Sequence, residues 1–179
     1  MCQHRQAKTE ATDVELKTKE KDESGSDSTS LPVKESIECL QTLITYTKLN
    51  ADESILNETT RLLNSQFPWI LRLQALKLVQ TIITNGISTT SSFTHLAKML
   101  NEAIEASTEN RYSKVRLAVL NIISALILYA EKGGDVGALF HDSPALKDNV
   151  LATVKRLQTD KAAEVSTEAC LLIPKLLVL

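Results

Sequence analysis

The segment Asn110-Arg-Tyr-Ser-Lys-Val-Arg-Leu-Ala-Val-Leu120 decides the fold, because two other segments superimpose on it without gaps. They are Gln66-Phe-Pro-Trp-Ile-Leu-Arg-Leu-Gln-Ala-Leu76 and Asp160-Lys-Ala-Ala-Glu-Val-Ser-Thr-Glu-Ala-Cys170. Each has a polar residue, an aliphatic residue five positions later, and a small or β-branched residue four positions beyond. The stretch from Val33 to Ile37 fits the latter half and indicates a fourth, partial unit. The spacings of 38, 44 and 50 residues match the period of repeats built from two helices.

From residue 32 onward, the apolar residues recur at helical spacing, which predicts seven helices. They lie near residues 33–48, 52–65, 68–85, 90–107, 113–131, from Ser143-Pro144 onward, and from about 161 to the end. The second, fourth and sixth are amphipathic, whereas the third, fifth and seventh are apolar on most faces. Stacked helical hairpins produce this alternation. The predicted fold is therefore all-α, an α-solenoid of three to four hairpins, with an ordinary helical bundle as the alternative.

The composition excludes other classes of protein. The chain has 179 residues, of which 43% are hydrophobic and 4% aromatic, so aliphatic side chains must form the core. Five Gly and 4 Pro are too few for a sandwich or barrel of many short strands. A net charge of −2 gives no electrostatic signature of a nucleic-acid binder. The apolar run from Leu117 to Ala130 is too short to span a bilayer, so it predicts a buried core helix and no membrane insertion.

Residues 1–31 differ from the rest of the chain, since they hold five basic and seven acidic residues but few large aliphatics. Such a segment cannot offset its ordering entropy by burial, so we predict a disordered, Ser/Thr-rich tail or linker before a repeat domain at 32–179. Ser24 and Thr12 each precede an acidic residue by three positions, the spacing that acidophilic kinases use, and are candidate phosphorylation sites.

The three cysteines, Cys2, Cys39 and Cys170, have no metal-ligand spacing. Their odd number, with no signal peptide before them, predicts free thiols in a reducing compartment, the cytoplasm or the nucleus. We expect Cys39 and Cys170 to be buried as small hydrophobic side chains. If Met1 is removed, Cys2-Gln3-His4 has the geometry that chelates Cu(II) or Ni(II), although in a tail such a match is usually accidental.

The repeat resembles the HEAT family of α-solenoids, a relative of the armadillo type, over residues 33–179. In that family the second helix of each hairpin begins with Asp-x-x-x-x-Val-Arg; Val115-Arg116 matches the Val-Arg step, and Asp160 with Val165 matches the Asp and Val. The Asp is replaced by Gln66 and Asn110, and the Arg by Ser166, which puts the family's Asp/Arg ladder between repeats in question here.

The aromatic-tipped turns look like units of very large HEAT scaffolds, including one associated with the proteasome. This resemblance implies a fragment of a longer protein, as does the apolar end at 171–179, which has no polar capping helix.

Motifs for catalysis are weak. The Gly133-Gly134-Asp-Val-Gly137 stretch lacks the Lys-Ser/Thr ending of a phosphate-binding loop, and we expect a plain loop there. His141-Asp142-Ser143 cannot form a catalytic triad from adjacent positions, so Ser143 is predicted to cap a helix. Glu102 and Glu105 are expected on a solvated face, and His95 at a surface or helix interface. We therefore predict no enzyme activity, cofactor, metal or small-molecule substrate, although a site built from dispersed residues stays open.

Function is expected to lie on surfaces. The resemblance places the second helices on the concave side of a solenoid, where a row of cations is predicted to meet an acidic segment of a protein partner. Alternatively, Arg72 and Arg116 bridge neighbouring repeats, and Trp69 is either a packing residue or a binding anchor. We expect a scaffold or adaptor within a larger complex; the alternative is a transport or nucleic-acid-associated HEAT protein that reads a charged cargo. The predicted row consists of Lys34, Arg72, Lys77, Arg116, Lys155 and Arg156.

Overall fold

The computed structural model describes residues 30–47, 52–64, 66–86 and 93–178, and within these ranges every regular element is a helix. This confirms the all-α fold class for the described part of the chain. The helices are α1 (Ser30–Thr47), α2 (Glu53–Leu62), α3 (Trp69–Thr81) with a π-helical turn (Ile82–Gly86), α4 (Phe93–Thr108), α5 (Ser113–Glu131), α6 (Val136–Asp142), α7 (Pro144–Leu157) and α8 (Ala163–Leu176).

The helices lie in two layers. Helices α2, α4 and α7 form the first layer, in which α4 contacts both α2 and α7. Helices α1, α3, α5 and α8 form the second layer, in which each helix contacts the next one along the chain. Across the layers, α2 contacts α3, α4 contacts α5, and α7 contacts α8. Each such pair is a hairpin joined by a turn of a few residues, and α6 lies against α4 and α7.

The three superimposable segments adopt the same local structure. The amide N–H of Arg72 donates to the Pro68 carbonyl at 3.2 Å. At the corresponding positions, Arg116 donates to Tyr112 at 3.3 Å, and Ser166 donates to Ala162 at 3.1 Å. The aliphatic residue of each segment and the small residue four positions later are all buried. The second helices therefore begin in one common register, as the gapless superposition predicts.

Helix α5 is the centre of the core. It contacts α3 and α8 within its own layer and α4 in the other layer, which explains why its sequence is apolar on most faces. Nine of its residues are buried, among them Leu120 at 0% exposure. The amphipathic first-layer helices instead keep one polar face. The predicted alternation of the two helix types is thus accounted for by the layers.

The turns between helices contain capping residues and glycines that can be recognised in the sequence. Asp52 caps α2 by accepting a hydrogen bond from the Ile55 amide at 2.9 Å. Ser143 occupies the cap position of α7 as predicted, with Pro144 as the first helical residue, although its side chain makes no capping bond. Gly133 ends α5 at φ +86°, a conformation that favours glycine. A Cβ at Gly134 would overlap the Tyr129 ring.

Three predictions need correction. The stretch expected to be a plain loop, residues 133–137, runs into α6, which begins at Val136, because Val136, Leu139 and Phe140 are buried on one face and Asp135 accepts a hydrogen bond from the Ala138 amide at 2.7 Å. Cys39 and Cys170 are exposed rather than buried. Helix α1 begins at Ser30, so the helical region starts slightly before the predicted boundary at residue 32. Residues 1–29, including Thr12, Ser24 and the Cys2-His4 motif, lie outside the described residues.

Replacing Leu120 by Asp tests the buried position of α5. We expect the free energy of unfolding to fall by about 5 kcal/mol, because the new carboxylate has no partner inside the core. Thermal unfolding followed by circular dichroism measures the change. Leu128→Asp is the matched control, since Leu128 lies on the same helix with 50% exposure and should tolerate the charge. Equal melting of the two variants would contradict the assignment.

Candidate protein-interaction surface

The two layers present chemically different outer faces. The first-layer helices carry exposed charges of both signs, such as Glu58 with Arg61 on α2, Glu102 on α4, and Asp148 on α7. Two of these helices are joined by polar contacts: Asn149 on α7 donates to Asn101 Oδ1 at 3.0 Å and to Glu105 Oε1 at 3.1 Å, both on α4. Such a mixed, internally bridged face is typical of solvated protein surface.

The outer face of α3 and α5 has a different composition. Helix α3 has no acidic residue, and α5 has only Glu131 at its last position. The cations Lys77 and Lys114 are exposed there, and no ion-pair partner is found for either among the described residues. Exposed or half-buried aliphatic side chains share the same helix faces, at helical spacing from each lysine. We call this patch the second-layer surface and define it as Ile70, Leu73, Lys77, Lys114, Leu117 and Leu128.

The structure separates the six predicted binding cations between the layers. Lys34 is half-buried on α1 and pairs with Glu38 at 3.7 Å. Lys77 is exposed on α3. Lys155 and Arg156 are exposed on α7, in the first layer, and Arg156 pairs with Glu109 at 2.6 Å. The predicted cations therefore do not form one continuous row, and only Lys77 belongs to the second-layer surface.

Arg116 holds neighbouring hairpins together. Its Nε donates to Asp160 Oδ2 at 2.6 Å and its Nη2 to Asp160 Oδ1 at 2.8 Å, a bidentate pair between α5 and the turn before α8. Its Nη1 donates to the Asn110 carbonyl at 2.6 Å. The side chains of Arg116 and Asp160 are only 14% and 7% exposed. Of the two roles left open for Arg116, these contacts fit the bridge between repeats.

This pair changes the acid–base behaviour of both side chains. The hydrogen bonds from Arg116 lower the pKa of Asp160, with a further contribution from the Ala162 amide, and they outweigh the opposing effect of burial. The same hydrogen bonds raise the pKa of Arg116. Both groups are therefore held in their charged forms.

Arg72 stands at the position equivalent to Arg116 but lacks a carboxylate. Its Nη1 donates to the Ala106 carbonyl at 3.5 Å, and its Nε is buried with no hydrogen-bond partner among the described residues. The residue equivalent to Asp160 in the next turn is Asn110, whose Oδ1 accepts from the Tyr112 amide at 3.0 Å. Asp160 Oδ1 accepts from Ala162 in the same way at 2.8 Å. The two turns thus share one geometry, and only the second has the acid.

Aromatic residues join the first two turns. Trp69 stacks on Tyr112 with ring centroids 4.4 Å apart, so it acts as a packing residue between hairpins. The guanidinium of Arg111 lies over the Tyr112 ring at 4.7 Å, and that of Arg61 over Phe67 at 5.6 Å. The aromatic-tipped turns are visible in the sequence, but the stack of Trp69 on Tyr112 is not, because it depends on how two turns distant in sequence are placed.

The candidate catalytic and metal-binding residues are dispersed. Glu102 and Glu105 are exposed on α4, and His95 contacts Glu53 at 3.0 Å between α4 and α2. His141 lies 3.4 Å from Asp142 at an exposed site. In the part of the chain that the structure describes, no group of three His, Cys, Asp or Glu side chains is arranged to hold a metal ion.

Helix α5 (Ser113–Glu131) extends beyond the apolar run from Leu117 to Ala130 at both ends, and in the described ranges it is the one helix whose length and composition would suffice to cross a membrane. Half of it is buried against the neighbouring helices, a pattern that core helices of helical domains also show.

Comparisons of the chain with protein-family models, with curated proteins and with solved structures find no match in any of the three.

The Arg116–Asp160 pair predicts a pH-dependent stability. Asp160→Asn should lower the free energy of unfolding by about 3 kcal/mol at pH 7, because it leaves a largely buried guanidinium without its anion. A carboxylate whose pKa is lowered on folding stabilises the fold above its unfolded pKa of about 3.9, and this contribution is lost as the pH falls through the folded pKa. The difference in free energy of unfolding between the wild type and Asp160→Asn should therefore become smaller at pH values below about 4.

Urea titrations at pH 7 and pH 3 measure this difference. The exposed Asp148 on α7 offers the matched control, Asp148→Asn, which should change stability little at either pH. If Asp160→Asn lowers the free energy of unfolding by the same amount at both pH values, the ion pair is ruled out as the cause of that loss of stability.

Proposed function

We propose that the chain is an α-solenoid of three HEAT-like hairpins preceded by the second helix of a fourth, and that it is a non-enzymatic scaffold or adaptor for other proteins. The arrangement of helices supports the solenoid: two layers, hairpins in sequence order, and one common register for the second helices. The Arg116–Asp160 bridge links two neighbouring hairpins at the signature positions of the resemblance.

The observation that carries the binding role is the second-layer surface. Exposed or half-buried aliphatic side chains beside two lysines, on helices almost without acid, differ from the mixed charges of the opposite layer. Patches of this kind are commonly sites of protein–protein contact. The chemistry selects a partner segment with apolar side chains for Ile70 and Leu128 and carboxylates for Lys77 and Lys114.

This proposal revises the binding residues inferred from the sequence. Arg116 has its donors engaged within the fold, and Arg156 is paired with Glu109. Of the predicted cations, we keep Lys77 as a binding residue, and we add Lys114. The exposed free thiols Cys39 and Cys170 are consistent with a reducing compartment, so we propose the cytoplasm or the nucleus as the place of action.

Charge reversal distinguishes the two layers as binding sites. We expect Lys77→Glu/Lys114→Glu to reduce the capture of a specific partner by the full chain at least about tenfold, as loss of complementary charges at a contact site does. Lys98→Glu/Lys155→Glu reverses two exposed charges of the first layer and should leave capture unchanged. The proteins retained by each immobilised chain are quantified by mass spectrometry, after circular dichroism has shown that the variants are folded.

Loss of capture by Lys98→Glu/Lys155→Glu, with capture by Lys77→Glu/Lys114→Glu unchanged, would place the binding site on the first layer.

Repeating the capture at increasing salt identifies the kind of partner. A modest decrease indicates mixed apolar and charged docking, whereas a steep, linear loss of log affinity with log salt would indicate the alternative nucleic-acid cargo.

The solenoid itself is tested by restoring the missing carboxylate. Asn110→Asp places an acid at the position equivalent to Asp160, opposite the unpaired Nε of Arg72. If the hairpins repeat as proposed, the new pair should stabilise the fold by about 1–2 kcal/mol, the range of a charge-assisted hydrogen bond. Urea unfolding measures the gain, and the double variant with Arg72→Gln should lose it. A destabilised Asn110→Asp chain would show that the two turns are not equivalent.

A further inference from the structure

The common register of the second helices allows α8 to be compared with α3 and α5 position by position. Val115 and Val165 are 50 residues apart, so Cys170 on α8 and Leu177, the residue directly after α8, correspond to Leu120 and Ile127 on α5. In α5 these two residues are 0% and 3% exposed, because the next helix of the layer covers them. On α8, Cys170 is exposed and Leu177 is 73% exposed. The face that meets a neighbouring helix elsewhere in the layer is therefore not covered on α8 by any part of the chain that the structure describes.

A second apolar strip adjoins this face. Leu171, Pro174 and Val178 are all exposed, and Leu171 is 60% exposed. At the positions equivalent to Leu171 and Pro174, the earlier helices have polar residues: Asn121 and Ser124 on α5, which are half-buried, and Lys77 and Gln80 on α3, which are exposed and half-buried respectively. Helix α8 and the residues that follow it thus expose apolar side chains over two faces, the second of which is polar on α5 at two of its three equivalent positions, the third being Leu128. A further hairpin continuing the layer would cover the first strip and leave the second partly exposed, as the equivalent residues Asn121, Ser124 and Leu128 are on α5.

We propose that α8 packs antiparallel against α8 of a second copy of the chain, forming a symmetric dimer. Helices paired about a two-fold axis that passes beside Leu171 bury both apolar strips at once. The charges beside the strip fit this arrangement. Glu168 and Lys175 are seven residues apart, so they lie on the same flank of the helix. In an antiparallel pair centred between residues 171 and 172, each Lys175 lies opposite Glu168 of the second copy, giving two complementary ion pairs.

This interface is separate from the proposed scaffold function. It uses α8 and leaves the second-layer surface on α3 and α5 open to another protein. Loss of the dimer and loss of partner capture are therefore distinguishable in the same set of variants.

The mass of the full chain in solution tests the proposal first. Sedimentation velocity over a concentration series should show a species of twice 19.7 kDa for the wild type. Leu171→Asp/Leu177→Asp should weaken association at least about 100-fold, because it places charges at the centre of the interface. Leu128→Asp changes a leucine of similar exposure on α5 and should leave the dimer intact. A wild-type chain that is monomeric at all concentrations would overturn the proposal.

A charge exchange tests the antiparallel pairing without depending on the leucine variants. Lys175→Glu should weaken the dimer about tenfold by bringing two acids together at each end. Adding Glu168→Lys restores opposite charges and should recover the wild-type association. Failure of the double variant to recover would exclude this register.

Cysteine crosslinking identifies the neighbouring surface. In a Cys2→Ser chain, a short bismaleimide should join Cys170 to Cys170 and give a covalent dimer and no larger species. A head-to-tail assembly of α8 on α1 would instead join Cys170 to Cys39 and give a ladder of oligomers, which would overturn the symmetric dimer. Peptide mapping of the crosslinked product distinguishes these results.

Discussion

The structure depends on the burial of the second-layer helices between their neighbours. A hairpin of two helices has too little internal surface to bury a helix that is apolar all round, so α3 and α5 require a helix on each side. Leu, Ile, Val and Ala supply that contact almost alone, since only 4% of the chain is aromatic. These side chains pack closely in regular rows, which is why one register serves three hairpins. Every other feature, including the ion pair and the aromatic stack, is placed by this stacking.

The Arg116–Asp160 pair adds specificity to a contact that is otherwise non-directional. Aliphatic faces alone would tolerate a shift of one helix along another, whereas a bidentate pair at 2.6 and 2.8 Å does not. The pair occurs where the following turn has Asp160, and no such pair is found at Arg72, where Asn110 stands at the equivalent position. The interface between the first two hairpins has a stack of Trp69 on Tyr112 at the corresponding edge. Two chemically different contacts therefore align successive hairpins.

Much of the fold is predictable from the sequence, for reasons visible at particular residues. The limits of α5 follow from an unbroken apolar period and from Gly133, and the gapless repeat predicts which residues start each second helix. Helix α6 was missed because its glycines suggested a loop, although Asp135 and the spacing of Val136, Leu139 and Phe140 indicate a short capped helix. The exposure of Cys170 is not predictable from residue type, because it depends on which side of α8 is covered: among the described residues, α5 is its only neighbour within the layer.

The candidate surface is harder to predict from the sequence than the fold is. Six cations at similar spacing suggested one row, but a list of charges does not tell which are neutralised by acids distant in sequence. Asp160 is 44 residues from Arg116, and Glu109 is 47 from Arg156. Only the folded arrangement separates these engaged cations from Lys77 and Lys114.

The contact between the first two hairpins lacks the bridge that joins the next two, because the Nε of Arg72 has no hydrogen-bond partner among the described residues. Protection against amide hydrogen exchange should accordingly be graded along the array, with α1 and α2 opening before α5 and α8, so the protein has a weaker end at which unfolding begins.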